Sequence, residues 1–412
     1  MKVLDLLRKL YFYWSDFRFG VKSFFSTNCY QFRDVMMVGA GFFGEKDVPL
    51  WKYCCMLMYR LLGYYQLVMA VAKTGLSICE GDNFLDILGS LLVSLFMLAV
   101  EFKVFMFKHY RQSIRQIQSF FDGRYGHSGD YRFDIRMYRR ANSVTWKAFL
   151  AMYLLICCDQ VLIWIPNSAQ ERMFGIPTRF ADYGSRISKT MQGMYLCSLA
   201  YFWGCRYFCC SSIVMPLLVK LRADLAIVQH GFEMIRINTD SRWESNALLW
   251  GYLKKLFNRT VKQHFRILRH VNLMQPAVNN TYATVYYSNM GLVALAVFLA
   301  IQSGMTFMSF CLIITAIGFM VECYSWCFLI GLIQDTMMEI SSTASQLAFL
   351  PPHSPKHHSE YVQWRTSLMI VQLNASQMDW FRCGNIFFIS TERFGELCMI
   401  VYRFAAFLMK FA

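Results

Sequence analysis

The stretch HVNLMQPAVNNTYATVYYSNMGLVALAVFLAIQSGMTFMSFCLIITAIGFMV, residues 270–321, contains no Lys, Arg, Asp or Glu over its 52 residues. A helix needs about 20 mostly apolar residues to cross the hydrocarbon of a bilayer, so the stretch is long enough for two crossings. Gln302-Ser303-Gly304 interrupts it. Transmembrane strands would alternate apolar and polar side chains, and this stretch does not. It therefore predicts a hairpin of two transmembrane helices.

The rest of the chain has a similar apolar character. Apolar residues make up 56% of the 412 residues and charged residues only 16%, which is more oily surface than a soluble fold of this size needs to bury. Charged residues such as Asp159 and Arg206 lie within the weaker apolar stretches, which cover residues 53–72, 85–107, 145–165, 191–216 and 386–411. With the hairpin these predict seven transmembrane helices, and hence an all-α, polytopic membrane protein.

The basic residues are distributed unevenly between the predicted spans. The segments on the side of the amino terminus contain 28 Lys and Arg, whereas the segments on the other side contain 5. Because positively charged loops stay in the cytoplasm, we expect a cytoplasmic amino terminus. Topology also accounts for the net charge of +15, so we do not expect nucleic-acid binding. Residues 3–25 mix aromatic and basic side chains, which fits either a helix at the cytoplasmic interface or a short helix packed on the protein's own loops.

Motifs for catalysis or metal binding do not stand out. The chain has no His-Glu-x-x-His, no phosphate-binding Gly-rich loop and no Gly-x-Ser-x-Gly. Its 15 cysteines lie mostly in apolar stretches, without the spacing of a zinc site and without a pairing that would predict a disulfide. The histidines of PPHSPKHH, residues 351–358, lie among prolines that favour a solvated loop. We therefore expect no enzyme, no metal and no cofactor.

The last predicted span is unusually charged. Glu392, Arg393 and Glu396 lie in its first turns, and a span with that charge inserts more easily beside other subunits and water. Further along, three apolar residues share one helical face at positions i, i+4 and i+7, namely Val401, Ala405 and Leu408. Such a face fits an apolar ring that gates ions by dewetting, and it fits ordinary packing between helices equally well.

The end of the chain resembles the carboxy-terminal signature of insect odorant receptors, which has a Phe, a Leu three positions later and then a Tyr usually followed by Ser. The matching residues are Phe394, Leu397 and Tyr402, with Arg403 in place of the usual Ser. Trp364, in the sequence EYVQWR, resembles the segment before the last span of that family. The stretch MVGAGF, residues 37–42, resembles the one before its first span.

This resemblance implies a seven-span receptor channel in the plasma membrane of a sensory neuron dendrite. The chain would form a tetrameric channel together with the odorant receptor co-receptor. A volatile bound in the outer half of spans two to six would open a non-selective cation pathway. Residues 1–50 would form a cytoplasmic amino-terminal segment, and residues 51–333 spans one to six with the odorant cavity. Residues 334–384 would be a cytoplasmic anchor region and residues 385–412 the pore-lining last span. The gate would lie near Ala405, with Leu408 just outward of it.

A volatile ligand must be almost completely enclosed to bind well. A molecule of about ten heavy atoms reaches micromolar affinity only at roughly −0.8 kcal/mol per atom. We therefore expect it among the apolar, aromatic and Met side chains of the outward half-spans, together with one intramembrane acid. The candidates are Phe84, Leu88, Leu155, Cys158, Asp159, Leu162, Tyr195, Leu199, Phe202, Met305 and Met308. For each of them, ordinary helix packing is the alternative.

Three other classes of membrane protein deserve comparison. Insect gustatory receptors carry a Thr-Tyr motif with Gln-Phe downstream in the last helix, and that motif is missing around residues 391–394. A G-protein-coupled receptor would place the amino terminus outside, opposite to the charge distribution. A transporter would normally show inverted repeats, which this sequence lacks. An odorant receptor subunit is the interpretation that the sequence favours.

Overall fold

The computed structural model describes residues 35–42, 50–122, 126–165, 173–177, 179–180, 184–242, 247–304, 306–348, 358–376 and 381–410. Most of the predicted amino-terminal segment 1–50, including the candidate interfacial helix at 3–25, lies outside these residues, and so do most of the PPHSPKHH segment and Met305. Long helices dominate the described part, as the sequence predicts.

The described residues include nine helices of 12 or more residues, together with one small β-hairpin. The helices are α1 (Leu50–Glu80), α2 (Phe84–Asp122), α3 (Tyr131–Trp164), α4 (Ser185–Leu196), α5 (Leu199–Arg242), α6 (Ala247–Gln302), α7 (Phe307–Leu347), α8 (His358–Ser376) and α9 (Thr391–Leu408). Strands β1 (Arg382–Cys383) and β2 (Phe387–Phe388) pair antiparallel between α8 and α9, with Arg382 opposite Phe388.

Five of these helices are long and apolar enough to cross a membrane, namely α1, α2, α3, α6 and α7. Helices α5 and α9 overlap the two remaining predicted spans, 191–216 and 386–411. The longest helices extend well beyond the thickness of a bilayer. The 56 residues of α6, for example, rise by about 84 Å at 1.5 Å per residue. The stretches predicted as long basic loops therefore contain much helix.

The hairpin of residues 270–321 folds as predicted. Helix α6 ends at Gln302, and Gly304 follows with φ +66°, a left-handed conformation that favours glycine. Thr306 then caps α7, because its side-chain oxygen accepts a hydrogen bond from the Ser309 N–H. The polar break thus separates the two helices where the apolar run is interrupted.

The predicted span 191–216 is instead divided between two helices, because α4 ends at Leu196 and α5 begins at Leu199. Gln160 of α3 satisfies both sides of this break: its Nε2 donates to the Leu196 carbonyl at 3.1 Å, and its Oε1 accepts from the Tyr201 N–H at 3.0 Å. A side chain from a neighbouring helix therefore provides the hydrogen bonds that a continuous helix would make within itself. The sequence of residues 191–216 alone does not indicate this contact.

Helix α5 lies at the centre of the bundle. It packs against α2, α3, α6 and α7, and nearly all of its first 20 residues are buried. Its charged residue Arg206 pairs with Glu101 of α2, with Nη1 2.5 Å from Oε1. By contrast, α1 exposes apolar side chains such as Met58 and Val68, as expected for a helix that faces lipid.

Candidate ligand-binding cavity

A cavity of about 150 Å³ lies between helices α2, α3, α5 and α7. A cavity of this size with apolar walls can hold a benzene molecule. Its walls are almost entirely apolar and aromatic: Leu92, Val93, Phe96, Met97, Leu155, Ile156, Leu162, Ile163, Met173, Phe174, Leu199, Ala200, Trp203, Gly204, Tyr207, Phe208, Ala296, Leu312 and Phe319, with Asp159, Cys311 and Thr315 as further members. This is the composition of a small-molecule site.

Small residues on α5 leave room for the cavity. Ala200 and Gly204 stand four positions apart, on one face of the helix, and both line the cavity. A Cβ atom at Gly204 would lie 3.0 Å from Cγ1 of Ile156 on α3, so the two helices approach closely at this point. The larger Trp203 and Tyr207 stand beside these small residues and enclose the space.

Aromatic rings form one side of the cavity. Phe96, Tyr207 and Phe319 come from three helices, and their ring centroids are separated by 4.8 to 5.8 Å. The Tyr207 hydroxyl donates to Oδ1 of Asn289 on α6 at 2.5 Å. Lys103 Nζ lies 3.3 Å from the centroid of the Tyr207 ring. Tyr207 therefore contacts both the cavity and the polar interior of the bundle.

That polar interior contains a buried ion pair. Lys103 Nζ lies 3.2 Å from Glu322 Oε2, and both side chains are fully buried. The hydroxyl of Ser211 donates to Glu322 Oε1, and the indole N–H of Trp326 donates to Ser211 Oγ at 3.3 Å. A buried charge is tolerated where it is paired and hydrogen-bonded, as it is here.

The cavity's own polar groups are mostly engaged elsewhere. Thr315 donates to the Cys311 carbonyl at 3.0 Å, and the Trp203 indole donates to Gln66 Oε1 at 3.1 Å. Asp159 lines the cavity, and within the described part of the chain it makes no hydrogen bond or ion pair. It is also the only Asp, Glu, Lys, Arg or His among the described lining residues.

The structure brings four of the eleven predicted ligand-binding residues together at this cavity: Leu155, Asp159, Leu162 and Leu199. Tyr195 and Phe202 are fully buried but lie outside the cavity lining. The Tyr195 carbonyl accepts from Gln66 Nε2 at 2.9 Å, and the Phe202 ring packs edge-on against Tyr59 with centroids 5.0 Å apart.

Three other predicted residues lie away from the lining. Leu88 is buried elsewhere, Phe84 is 48% exposed, and Cys158 is exposed. Met308 belongs to α7, but its side chain is outside the described part, as is Met305. A ligand-binding role for any of the eleven remains a prediction.

Several lining residues escaped the sequence analysis, notably Phe96, Trp203 and Phe319. Two patterns mark lining faces, because Ala200, Gly204 and Phe208 on α5, and Cys311, Thr315 and Phe319 on α7, are each spaced by four residues. Of the three missed residues, only Phe319 belongs to one of these patterns. Each set shares a helical face. Such stripes are equally common in ordinary cores, so the pattern by itself does not separate a cavity from packing.

The predicted gate residues lie on helix α9, which packs against α6 and α7. Val401 and Ala405 are buried within the chain on the same face as Leu397, whereas Leu408 is half-buried. Tyr402, on another face, is 72% exposed. Within one chain Val401 and Ala405 therefore make packing contacts, and their role in a pore remains a prediction.

No protein-family model matches the chain, and no curated protein matches its sequence. Its fold, however, is similar to that of the insect olfactory receptor OR5 from Machilis hrabei, with a TM-score of 0.69 at 9% sequence identity, over 92% of this chain and 97% of that one. The structure of the same receptor in complex with eugenol gives a TM-score of 0.68 at 9% identity, over 93% and 98% of the two chains. The predicted all-α, polytopic membrane fold is thus confirmed, and it is the fold of an insect olfactory receptor.

Proposed function

We propose that this chain is the odorant-binding subunit of a receptor channel, and that a small volatile binds in the cavity between α2, α3, α5 and α7. The observation that carries the proposal is an apolar, largely aromatic cavity of about 150 Å³ in a chain with this fold. A receptor of the same fold has been solved with eugenol, which is a small aromatic volatile. Enclosure by apolar and aromatic walls is what a ligand of that kind needs.

A cation channel that opens together with the odorant receptor co-receptor completes the proposal. The subunits would form a tetramer in the plasma membrane of a sensory neuron, with helix α9 at the pore. This part rests on the resemblance of residues 394–403 to the family signature and on the fold.

Contacts in the chain offer a physical route from the cavity to α9. Tyr207 touches the cavity and donates to Asn289 of α6. Before Asn289 on the same helix, Asn279 Oδ1 accepts from the Arg382 N–H at 2.9 Å, and Tyr286 packs on Phe387 with ring centroids 5.2 Å apart. Both contacts hold the β-hairpin that leads into α9. We propose that displacement of Tyr207 by a ligand biases α6 and this hairpin together.

Expression in oocytes with and without an insect co-receptor tests the channel. Currents evoked by a volatile panel only in the presence of the co-receptor support the proposal. Equal currents in both conditions contradict the obligatory partnership, and their absence in both conditions contradicts the receptor function.

Two size-changing variants test the cavity. Ala200→Leu fills it and should raise the half-maximal concentration of an effective volatile at least tenfold, because the occupied volume clashes with the ligand. Ala151→Leu makes the same change on the exposed face of α3 and should leave potency unchanged. Equal effects of the two variants would show that the ligand binds elsewhere.

A further inference from the structure

Asp159 occupies an unusual position for a carboxyl group within a membrane helix. It lines the cavity of the proposed odorant site, whose other described members are almost all apolar. A charged or polar group at membrane depth is costly unless it has a partner or reaches water. Its surroundings therefore decide what this side chain does.

The neighbouring donors are already used. Gln160, the next residue on α3, bonds the break between α4 and α5 through both of its amide atoms. Thr315 and Trp203 donate to the Cys311 carbonyl and to Gln66. Tyr207 donates to Asn289. The thiol of Cys311 remains, and a thiol is only a weak donor.

The carboxyl of Asp159 is thus an acceptor without a strong donor, at the edge of a space that a ligand would fill. A ligand hydroxyl can donate to a carboxyl oxygen whether the group is ionised or neutral. An ether can only accept, so it leaves a carboxylate, or the carbonyl oxygen of the neutral acid, without a donor. A protonated amine also donates, but it must first lose its own hydration in an apolar cavity, and buried ion pairs often gain little after that cost. The neutral hydroxyl is the better match.

We propose that Asp159 selects volatiles that carry one hydroxyl group on a small apolar body, over ethers of the same size. The inference rests on the proposed function, because it takes the cavity as the odorant site. A hydrogen bond to a carboxyl group distinguishes an alcohol from its ether by roughly tenfold to a hundredfold in affinity. A volume of about 150 Å³ suits a body of about one ring with a short substituent.

Binding to the purified chain in detergent tests the inference without requiring a channel. The probes are benzyl alcohol, benzyl methyl ether and benzylamine. The affinity of each is obtained from how the thermal unfolding temperature rises with its concentration. We expect benzyl alcohol to bind at least tenfold more tightly than the ether. In Asp159→Leu, which keeps a similar volume without the acceptor, we expect the two to bind equally. Asp159→Asn keeps an acceptor oxygen but adds an N–H donor for the ether, so its preference for the alcohol should be smaller than that of the unmodified chain.

The outcomes separate the inference from the proposed function. Equal affinities for the alcohol and the ether, no binding of either, tighter binding of benzylamine, or an unchanged preference in Asp159→Leu would overturn the role of Asp159. Ether binding that persists in Asp159→Leu shows that the variant is folded. If the alcohol binds with the expected preference but no volatile opens a current with the co-receptor, the receptor-channel function fails while the assignment of Asp159 stands.

Discussion

Two acidic side chains within the bundle, Glu322 and Asp159, have opposite surroundings. Glu322 is fully buried, pairs with Lys103 at 3.2 Å and accepts a hydrogen bond from Ser211. Asp159 lies beside a cavity and has no hydrogen-bonding partner among the described residues. The first carboxylate is satisfied by the protein, and the second is not.

This difference separates a structural role from a binding role. Removing one partner of a satisfied buried pair exposes the other to the full cost of an uncompensated charge. A carboxyl group that the protein leaves without a partner has little folding energy to lose, so its contribution becomes large only when a ligand arrives. Tyr207 touches both regions, and its ring lies over the Lys103 ammonium. Substitutions of the two carboxyl groups test this difference.

The largest effect is expected from Glu322→Gln. The substitution keeps an acceptor for Ser211 but leaves the Lys103 ammonium buried without an anion. Breaking a buried pair in this way costs about 3–5 kcal/mol. We expect a strongly lowered unfolding temperature of the purified chain in detergent, together with reduced surface expression.

The double variant Lys103→Met with Glu322→Gln is the control for that prediction. It removes the unpaired charge and should recover most of the lost stability, because replacing a buried pair by neutral side chains of similar volume is often nearly neutral. A double variant as unstable as Glu322→Gln alone would show that packing at these positions, and not charge pairing, governs stability.

Asp224, on α5 beyond the predicted span 191–216, should make stability depend on pH. Burial raises its pKa to about 6 from an ordinary 3.8, against the opposing hydrogen bond from Tyr138. Because the folded state holds this proton more tightly than the unfolded chain, the stabilisation is complete below about pH 4 and is lost as the pH rises through about 6. Asp224→Asn should remove that loss, a difference on the order of 3 kcal/mol at neutral pH. Parallel pH dependences of the variant and the unmodified chain would contradict the shift.

Gly63→Ala tests the surroundings of Phe202, which packs against α1. A Cβ atom at position 63 would overlap the Phe202 ring, which is itself held between Tyr59 and Trp203. Overpacking of this kind costs about 1–3 kcal/mol. Gly75→Ala, on the same helix with nothing within 4 Å, is the matched control and should not destabilise. Equal unfolding temperatures of the two variants would show that Phe202 has room to move.

The sequence allowed more of the fold to be predicted than of the candidate site. The apolar run 270–321 and its polar break determine a hairpin by themselves, because the hydrogen-bonding demand of a backbone in lipid permits few alternatives. The cavity depends on which faces of α2, α3, α5 and α7 meet, and nothing local to each helix specifies that. The sequence predicted Phe202 as a site residue. In the structure Phe202 is a core residue on α5, whereas the next residue, Trp203, lies about 100° further around the helix and lines the cavity. A ligand-binding role for Phe202 remains a prediction.

For Asp159, an argument from the local sequence alone identifies a candidate residue. The cost of a charge at membrane depth singles out every acidic residue in a span, and among them Glu101 and Glu322 have basic partners on neighbouring helices. The sequence does not show how the available Arg and Lys are distributed among these acids, since the pairs join residues 105 and 219 positions apart. The sequence identifies the acidic residues within the spans, and the packing of the helices determines which of them remains without a partner.

The smallest effect on folding is therefore expected from Asp159→Asn. The substitution removes an ionisable group that no described residue stabilises, so the unfolding temperature should stay the same or rise slightly, within about 1 kcal/mol of stability. Measured beside Glu322→Gln in the same detergent, the two neutralisations of an intramembrane carboxyl should differ by several kcal/mol. A loss in Asp159→Asn as large as that in Glu322→Gln would mean that the protein itself satisfies this carboxyl, and the contrast between the two acids would then disappear.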